Sequence, residues 1–191
     1  MVIKPVHLTT LTFLLLLLTT VISCKKLKDN ELDTLESKFH GKYMIVSATA
    51  DKEVDINLDG KADKNVLNEI PELRMSYLEL IVRGNVKKGV FSQFWQNQYF
   101  QGIEGKPVSY NPSILVNFQN QATVASFTTD PKAKVLLLSR ASDQPEFPLP
   151  ISVEVLEDQR IRIIHSKEIF TTTGWRTIVF EVVYKRFSPS V

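Results

Sequence analysis

The chain has 191 residues, 43% of them hydrophobic, with 23 Lys and Arg against 21 Asp and Glu and a formal net charge of +2. That length is ample for one domain with a sizeable core, and a charge this close to neutral exerts no bulk pull toward nucleic acid. The single cysteine, Cys24, excludes an intrachain disulfide and a cysteine-based zinc cluster, so stability must come from packing.

Residues 8 to 22 form a predominantly apolar run centred on the leucines at 14 to 18, preceded by Lys4 and ended by Ser23 and Cys24. A membrane-crossing helix needs roughly 20 such residues, so the run is too short to span. A positive start, an apolar centre and a small residue before the cut are the parts of a secretory signal. Read with the cysteine, Val21-Ile22-Ser23-Cys24 resembles the lipobox of bacterial lipoproteins. The resemblance implies cleavage before Cys24, acylation of its thiol with palmitate-like chains, and a protein held to the bilayer by lipid without spanning it. Each buried methylene of such chains contributes about 0.8 kcal/mol, so several chains anchor firmly. The expected location is the bacterial cell envelope, at the outer membrane. An ordinary secretory signal followed by an incidental cysteine is the alternative. The expected plan is a lipoprotein signal peptide at residues 1 to 23, a lipid anchor and tether at 24 to 38, and a β-domain at 39 to 191.

Residues 25 to 31 mix Lys with acidic and amide side chains, as a solvated tether does. Leu32, Leu35 and Phe39 recur at spacings of three and four, which predicts a short helix over residues 31 to 38 ending near Gly41. Residues 42 to 50 read as a strand, with Tyr43, Ile45, Ser47 and Thr49 on one face and Met44, Val46 and Ala48 on the other. Residues 51 to 65 break that pattern, and 66 to 70 predict a helical turn before Pro71. Further strands are predicted at 76 to 83, 90 to 100, 114 to 119, 123 to 128, 135 to 139, 151 to 157, 160 to 165 and 178 to 186. Turn chemistry separates them at Arg83-Gly84-Asn85, at residues 117 to 121, at Glu157-Asp158-Gln159 and at Thr173-Gly174. Eight or nine short strands in meander order, with no long helix between them, predict an all-β antiparallel barrel with a short N-terminal helix. Closure removes the exposed sheet edges, which favours the barrel over the alternative, a β-sandwich.

The sharpest internal motif is Asp55-Ile56-Asn57-Leu58-Asp59-Gly60-Lys61-Ala62-Asp63, which matches the beginning of the calcium-loop pattern D-x-[DN]-x-[DN]-G. Alternate oxygen-bearing residues Asp55, Asn57 and Asp59 can face one centre, Gly60 allows the sharp turn, the Lys61 carbonyl can serve as a backbone ligand, and Asp63 can contribute directly or through water. The twelfth position is Val66 where the full loop has a bidentate Glu, so Asn65, Asn68 or Glu69 is left to complete the shell, Glu69 being the best candidate because it carries charge. Two readings stay open: a calcium site that stiffens the loop, and an Asx-rich turn whose side chains bond their own backbone.

Phe39-His40-Gly41-Lys42-Tyr43, the Asp55 to Gly60 segment, residues 65 to 69 and the closing stretch 175 to 187 together resemble the lipocalin-like domains of bacterial lipoproteins. Gly41-x-Tyr43 stands where lipocalins place Gly-x-Trp. The resemblance implies a calycin-like barrel with an apolar ligand cavity and carries over no catalytic residue. Phe91, Phe94, Trp95, Tyr99 and Phe100 are the densest aromatic cluster, and alternation puts Phe91, Trp95 and Tyr99 near one side as candidate ligand contacts. Core packing is their other reading.

Only His40 and His165 follow the leader, and no Gly-x-Ser-x-Gly elbow, His-Glu-x-x-His helix or phosphate-binding glycine loop occurs. No enzymatic activity is therefore expected. Glu154 and Glu181 read as outward carboxylates beside Arg160, Arg162 or Lys185. The sequence leads to a membrane-anchored lipoprotein that binds a small apolar or amphipathic ligand, with a structural or protein-interaction lipoprotein as the alternative.

Overall fold

The computed structural model describes residues 36 to 82, 88 to 130, 132, 134 to 140 and 148 to 191. The leader, Cys24, most of the tether and the Arg83-Gly84-Asn85 turn lie outside the described residues. Of the helix expected over 31 to 38, residues 36 to 38 are described, and with Phe39 they form one helical turn.

Nine strands follow: β1 (Gly41–Val54), β2 (Asp63–Asn65), β3 (Tyr77–Val82), β4 (Gly89–Phe100), β5 (Val116–Thr129), β6 (Leu136–Ser139), β7 (Ser152–Val155), β8 (Ile161–Thr171) and β9 (Gly174–Ser188). The helical turn α1 (Val66–Glu69) and a 3-10 turn at Pro71–Met75 link β2 to β3, as the break before Pro71 requires. Every pairing is antiparallel, in the order β6-β5-β4-β3-β1-β9-β8-β7, with β2 added beside β1. The two ends of that sheet meet through a bridge between Val135 and Glu154 and a bond from Val155 N–H to the Lys134 carbonyl at 2.8 Å. The result is a nearly closed antiparallel barrel, compatible with a calycin-like fold.

Two sequence expectations change. Strands 114 to 119 and 123 to 128 are a single strand, β5, because β4 continues to Phe100 and pairs with every residue from Val116 to Phe127. The Asn and Gln residues at 117 to 121 resemble turn formers, yet each backbone finds its ladder partner. In β1 the alternation slips between Ile45 and Ser47, where a bulge interrupts the pairing with β9. Tyr43 and Ile45 point inward before it, Ala48 and Ala50 after it, and Ser47 and Thr49 are exposed. One extra residue in a strand exchanges its faces.

The interior is filled. Tyr43, Leu78, Leu80, Phe91, Phe127, Phe180 and Tyr184 are fully buried, and the Tyr184 hydroxyl accepts a bond from Gln93 Nε2 at 3.0 Å. At one end the helical turn 36 to 39 is pinned across the barrel by Arg186. Its guanidinium donates to the Ser37 carbonyl at 3.0 Å, to the Lys38 carbonyl and to Tyr43 Oη at 3.2 Å, and sits 5.5 Å from the Tyr43 ring centre. Tyr43 Oη in turn donates to the Phe39 carbonyl at 2.8 Å, and Phe39 meets Phe127 edge to face. Burial raises the Tyr43 hydroxyl above its ordinary pKa despite the opposing guanidinium, so it stays a donor.

Gly41 begins β1 with φ 142°, and a Cβ there would lie 2.2 Å from the Ser188 carbonyl oxygen on β9. Backbone cannot yield as a side-chain tip can. Gly41→Ala is expected to destabilise the domain by about 3 kcal/mol, through strain plus overpacking, and urea unfolding of the two proteins measures it.

Candidate functional site

The wall of the barrel is incomplete along β8. β7 pairs with β8 only from Ile161 to Ile164, and among the described residues no strand takes the same edge beyond that point. A side chain takes its place: Gln98, from the far end of β4, accepts from Phe170 N–H at 2.7 Å and donates to the Phe170 and Ile56 carbonyls at 2.9 and 2.7 Å. One amide thus copies both bonds of a missing strand partner. Next to it the connection from β4 to β5 is tied down by Trp175, whose Nε1–H donates to the Pro107 carbonyl at 2.8 Å, and by Lys106, which pairs with Glu168 at 2.7 Å and covers the Trp175 ring at 4.8 Å.

Between these anchors opens a cleft of about 660 Å³. Asn97 and Gln121 line one side, bonded to each other from Asn97 Nδ2 to Gln121 Oε1, and Lys167, Ile169, Trp175 and Thr177 line the other. Period-two alternation along β8 turns Ile161, Ile163 and His165 inward. Lys167 continues that face, its Nζ 5.4 Å from the Trp95 ring centre. Trp95 is 2% exposed and stacks edge to face on His165 at 4.5 Å. Burial lowers the Lys167 ammonium to a pKa of about 8 and, with Lys167 nearby, holds His165 well below the usual imidazole range, so His165 is neutral at pH 7. Trp95 Nε1 and His165 Nε2 are buried without hydrogen-bond partners.

The aromatic candidates separate. Phe91 is fully buried in the packed core, Trp95 lies under Lys167 at the cleft, and Tyr99 is 52% exposed. Of the other two, Phe94 stacks on Tyr77 at 4.4 Å outside the barrel, and Phe100 joins Phe170 and Trp175 beneath the β4 to β5 connection. Lys167 was not singled out in the sequence, and Gln121 was read only as part of a turn. Extending the alternation of β8 two residues past His165 is the signal that would have reached Lys167.

The Asp55 loop bonds its own backbone. Asp55 accepts from the N–H groups of Asp59 and Gly60, each at 3.0 Å; Asn57 accepts from Asp59 N–H at 3.0 Å, and Asp59 from Lys61 N–H at 2.9 Å. Asp63 accepts from Asn65 N–H at 2.8 Å and Asn68 Nδ2 at 2.7 Å, which lowers its carboxyl pKa. Glu69 is turned inward, 3% exposed, and accepts from Ile56 N–H at 2.8 Å. Among the described residues no three His, Cys, Asp or Glu side chains gather into a metal-binding group. The loop therefore has the Asx-turn geometry of the second reading, and the calcium reading gains no further support from it.

His40 Nδ1 accepts from Val82 N–H at 3.1 Å, and neither His40 nor His165 bonds a hydroxyl or carboxylate among the described residues. Arg162 pairs with Glu154 and lies 3.9 Å from Glu181 on the outer face, as the outward reading of those carboxylates has it. No described helix is long and apolar enough to cross a membrane. No protein-family model matches the chain, and no curated protein matches it either.

Burial, with the nearby charges of Asp55 and Asp59, raises the Glu69 carboxyl above its ordinary pKa, against the lowering effect of the Ile56 and Asn57 N–H groups. Folding thus favours the protonated form, and the contribution is present below the unfolded glutamate value of roughly 4.3 and lost as pH rises through the folded value. Glu69→Gln keeps an acceptor for Ile56 N–H and is expected to unfold at a higher urea concentration than the parent at pH 8, with the gap closing toward pH 4. Glu69→Ala leaves that N–H unsatisfied and is expected to cost about 1–3 kcal/mol at either pH.

Proposed function

We propose that this chain is an envelope lipoprotein, anchored through an acylated Cys24, whose lipocalin-like barrel holds a small amphipathic ligand at the opening beside β8. The observation that carries the binding reading is the cleft of about 660 Å³, which pairs a half-buried cation and amide side chains with the apolar Ile169 and Trp175. Ligand sites combine apolar walls with a few placed polar groups in this way. The filled interior moves the site from a deep calyx to the barrel wall, and a ligand with a polar end suits it better than a wholly apolar one. The anchoring half rests on the lipobox resemblance.

Each half has its own measurement. Cys24→Ser is expected to abolish incorporation of labelled palmitate and release the protein from the membrane fraction; membrane association unchanged by that substitution would remove the anchor. The full-length protein, incubated with an envelope lipid extract, is expected to retain a small amphipathic species in native mass spectrometry, and recovery of bare protein alone counts against binding. A second reading, a structural or interaction lipoprotein, is favoured by the lumen packed with Trp95, His165 and Phe180. Crosslinking in intact envelopes that traps a reproducible partner, together with bare protein in the spectrum, would select it.

A further inference from the structure

We infer that the cleft beside β8 recognises a small organic monoanion, a carboxylate on a short apolar body, with the Lys167 ammonium as its counter-charge. This deepens the ligand-binding reading above and rests on it. Lys167 lies on the inward face of β8 and makes no ion pair or hydrogen bond among the described residues; its one recorded contact is with the Trp95 ring at 5.4 Å. The adjacent carboxylate, Glu168, is already held by Lys106 at 2.7 Å.

A half-buried ammonium without a partner is poorly solvated, and an arriving anion relieves that cost. The surroundings also have donors to spare. Trp95 Nε1–H is buried with no acceptor, and the bond from Asn97 Nδ2 uses Gln121 Oε1, leaving the Gln121 Nε2 donors for a ligand.

Charge count selects the class of anion. Lys167 is one point charge, no arginine lines the cleft, and the other cation there, Lys106, is paired with Glu168. A single cation without an Arg fork suits a carboxylate better than a doubly charged phosphate. Ile169 and Trp175 then face the body of the ligand, and the volume of the cleft accommodates a chain or ring of several carbons.

The test uses the full-length protein in phospholipid vesicles, titrated with hexanoate, hexanol, hexylammonium and inorganic phosphate. Calorimetry gives the affinity. Intrinsic fluorescence gives the place, because of the chain's two tryptophans Trp175 lines the cleft and Trp95 lies beneath Lys167. Hexanoate is expected to bind at least tenfold more tightly than hexanol, with a change in fluorescence, and hexylammonium not at all. Lys167→Met is expected to lose at least tenfold in hexanoate affinity, Lys167→Arg to restore most of it, and Lys167→Gln to repeat the loss should the Met variant unfold at lower urea than the parent. Equal binding of hexanoate and hexanol, unaffected at Lys167, would overturn the anion assignment while leaving a ligand site in place. Phosphate binding more tightly than hexanoate would overturn the carboxylate assignment. No binding of any probe, together with bare protein after the lipid extract, would bring down the binding reading itself.

Discussion

β1 pairs with β9 from Lys42 and Ser188 to Ala50 and Phe180, and this contact between the two ends of the domain turns an open meander into a nearly closed barrel. β1 also carries β3 on its other edge near Gly41, so it is the seam at which both halves of the sheet meet. The seam is tight enough at its start that only a residue without Cβ fits against the Ser188 carbonyl. It is loose enough farther on to need a bulge between Ile45 and Ser47. Bulges of this kind increase the local bend of a strand, which closure of a small barrel requires.

Closing the sheet around large side chains leaves little empty interior. Trp95, His165, Phe180 and Tyr184 meet in the lumen, and Arg186 with Tyr43 ties the helical turn 36 to 39 across one end. An eight-stranded barrel is just wide enough for its side chains to fill it, so a ligand space has to come from somewhere other than the axis. Here it comes from unequal strand lengths. β7 has four residues beside an eleven-residue β8, and the uncovered edge is bridged by Gln98 instead of by a strand. The same shortfall that opens the wall exposes the inward-facing Lys167 to the cleft.

Much of this architecture was legible before any coordinates. Period-two alternation located β1, β3, β4 and β9 to within a few residues at most ends, the apolar pattern before Pro71 located α1, and Thr173-Gly174 marked the β8 to β9 turn, with Gly174 at φ 93°. What misled was local chemistry overridden by pairing. Residues 117 to 121 have the composition of a turn, but the long β4 partner supplies their backbone bonds and holds them extended. β2 carries Asp, Lys and Asn, which no strand propensity would select, and it exists because β1 offers a free edge where β3 leaves it. The aromatic cluster of β4 was visible as a cluster, yet its division among core, cleft and surface depends on which strands reach far enough to cover each ring.

The sequence by itself determined the all-β class, the absence of thiols behind Cys24 and the acidic loop after β1, because these follow from composition and from short-range periodicity. Only the tertiary structure decided that the interior is packed, that the loop oxygens bond their own N–H groups, and that Lys167 faces Trp95 with no ion pair among the described residues. The physical reason is range. Alternation is a property of neighbouring residues and survives in any strand, whereas burial and the partner of a charge depend on which distant strand arrives opposite, and on where that strand ends.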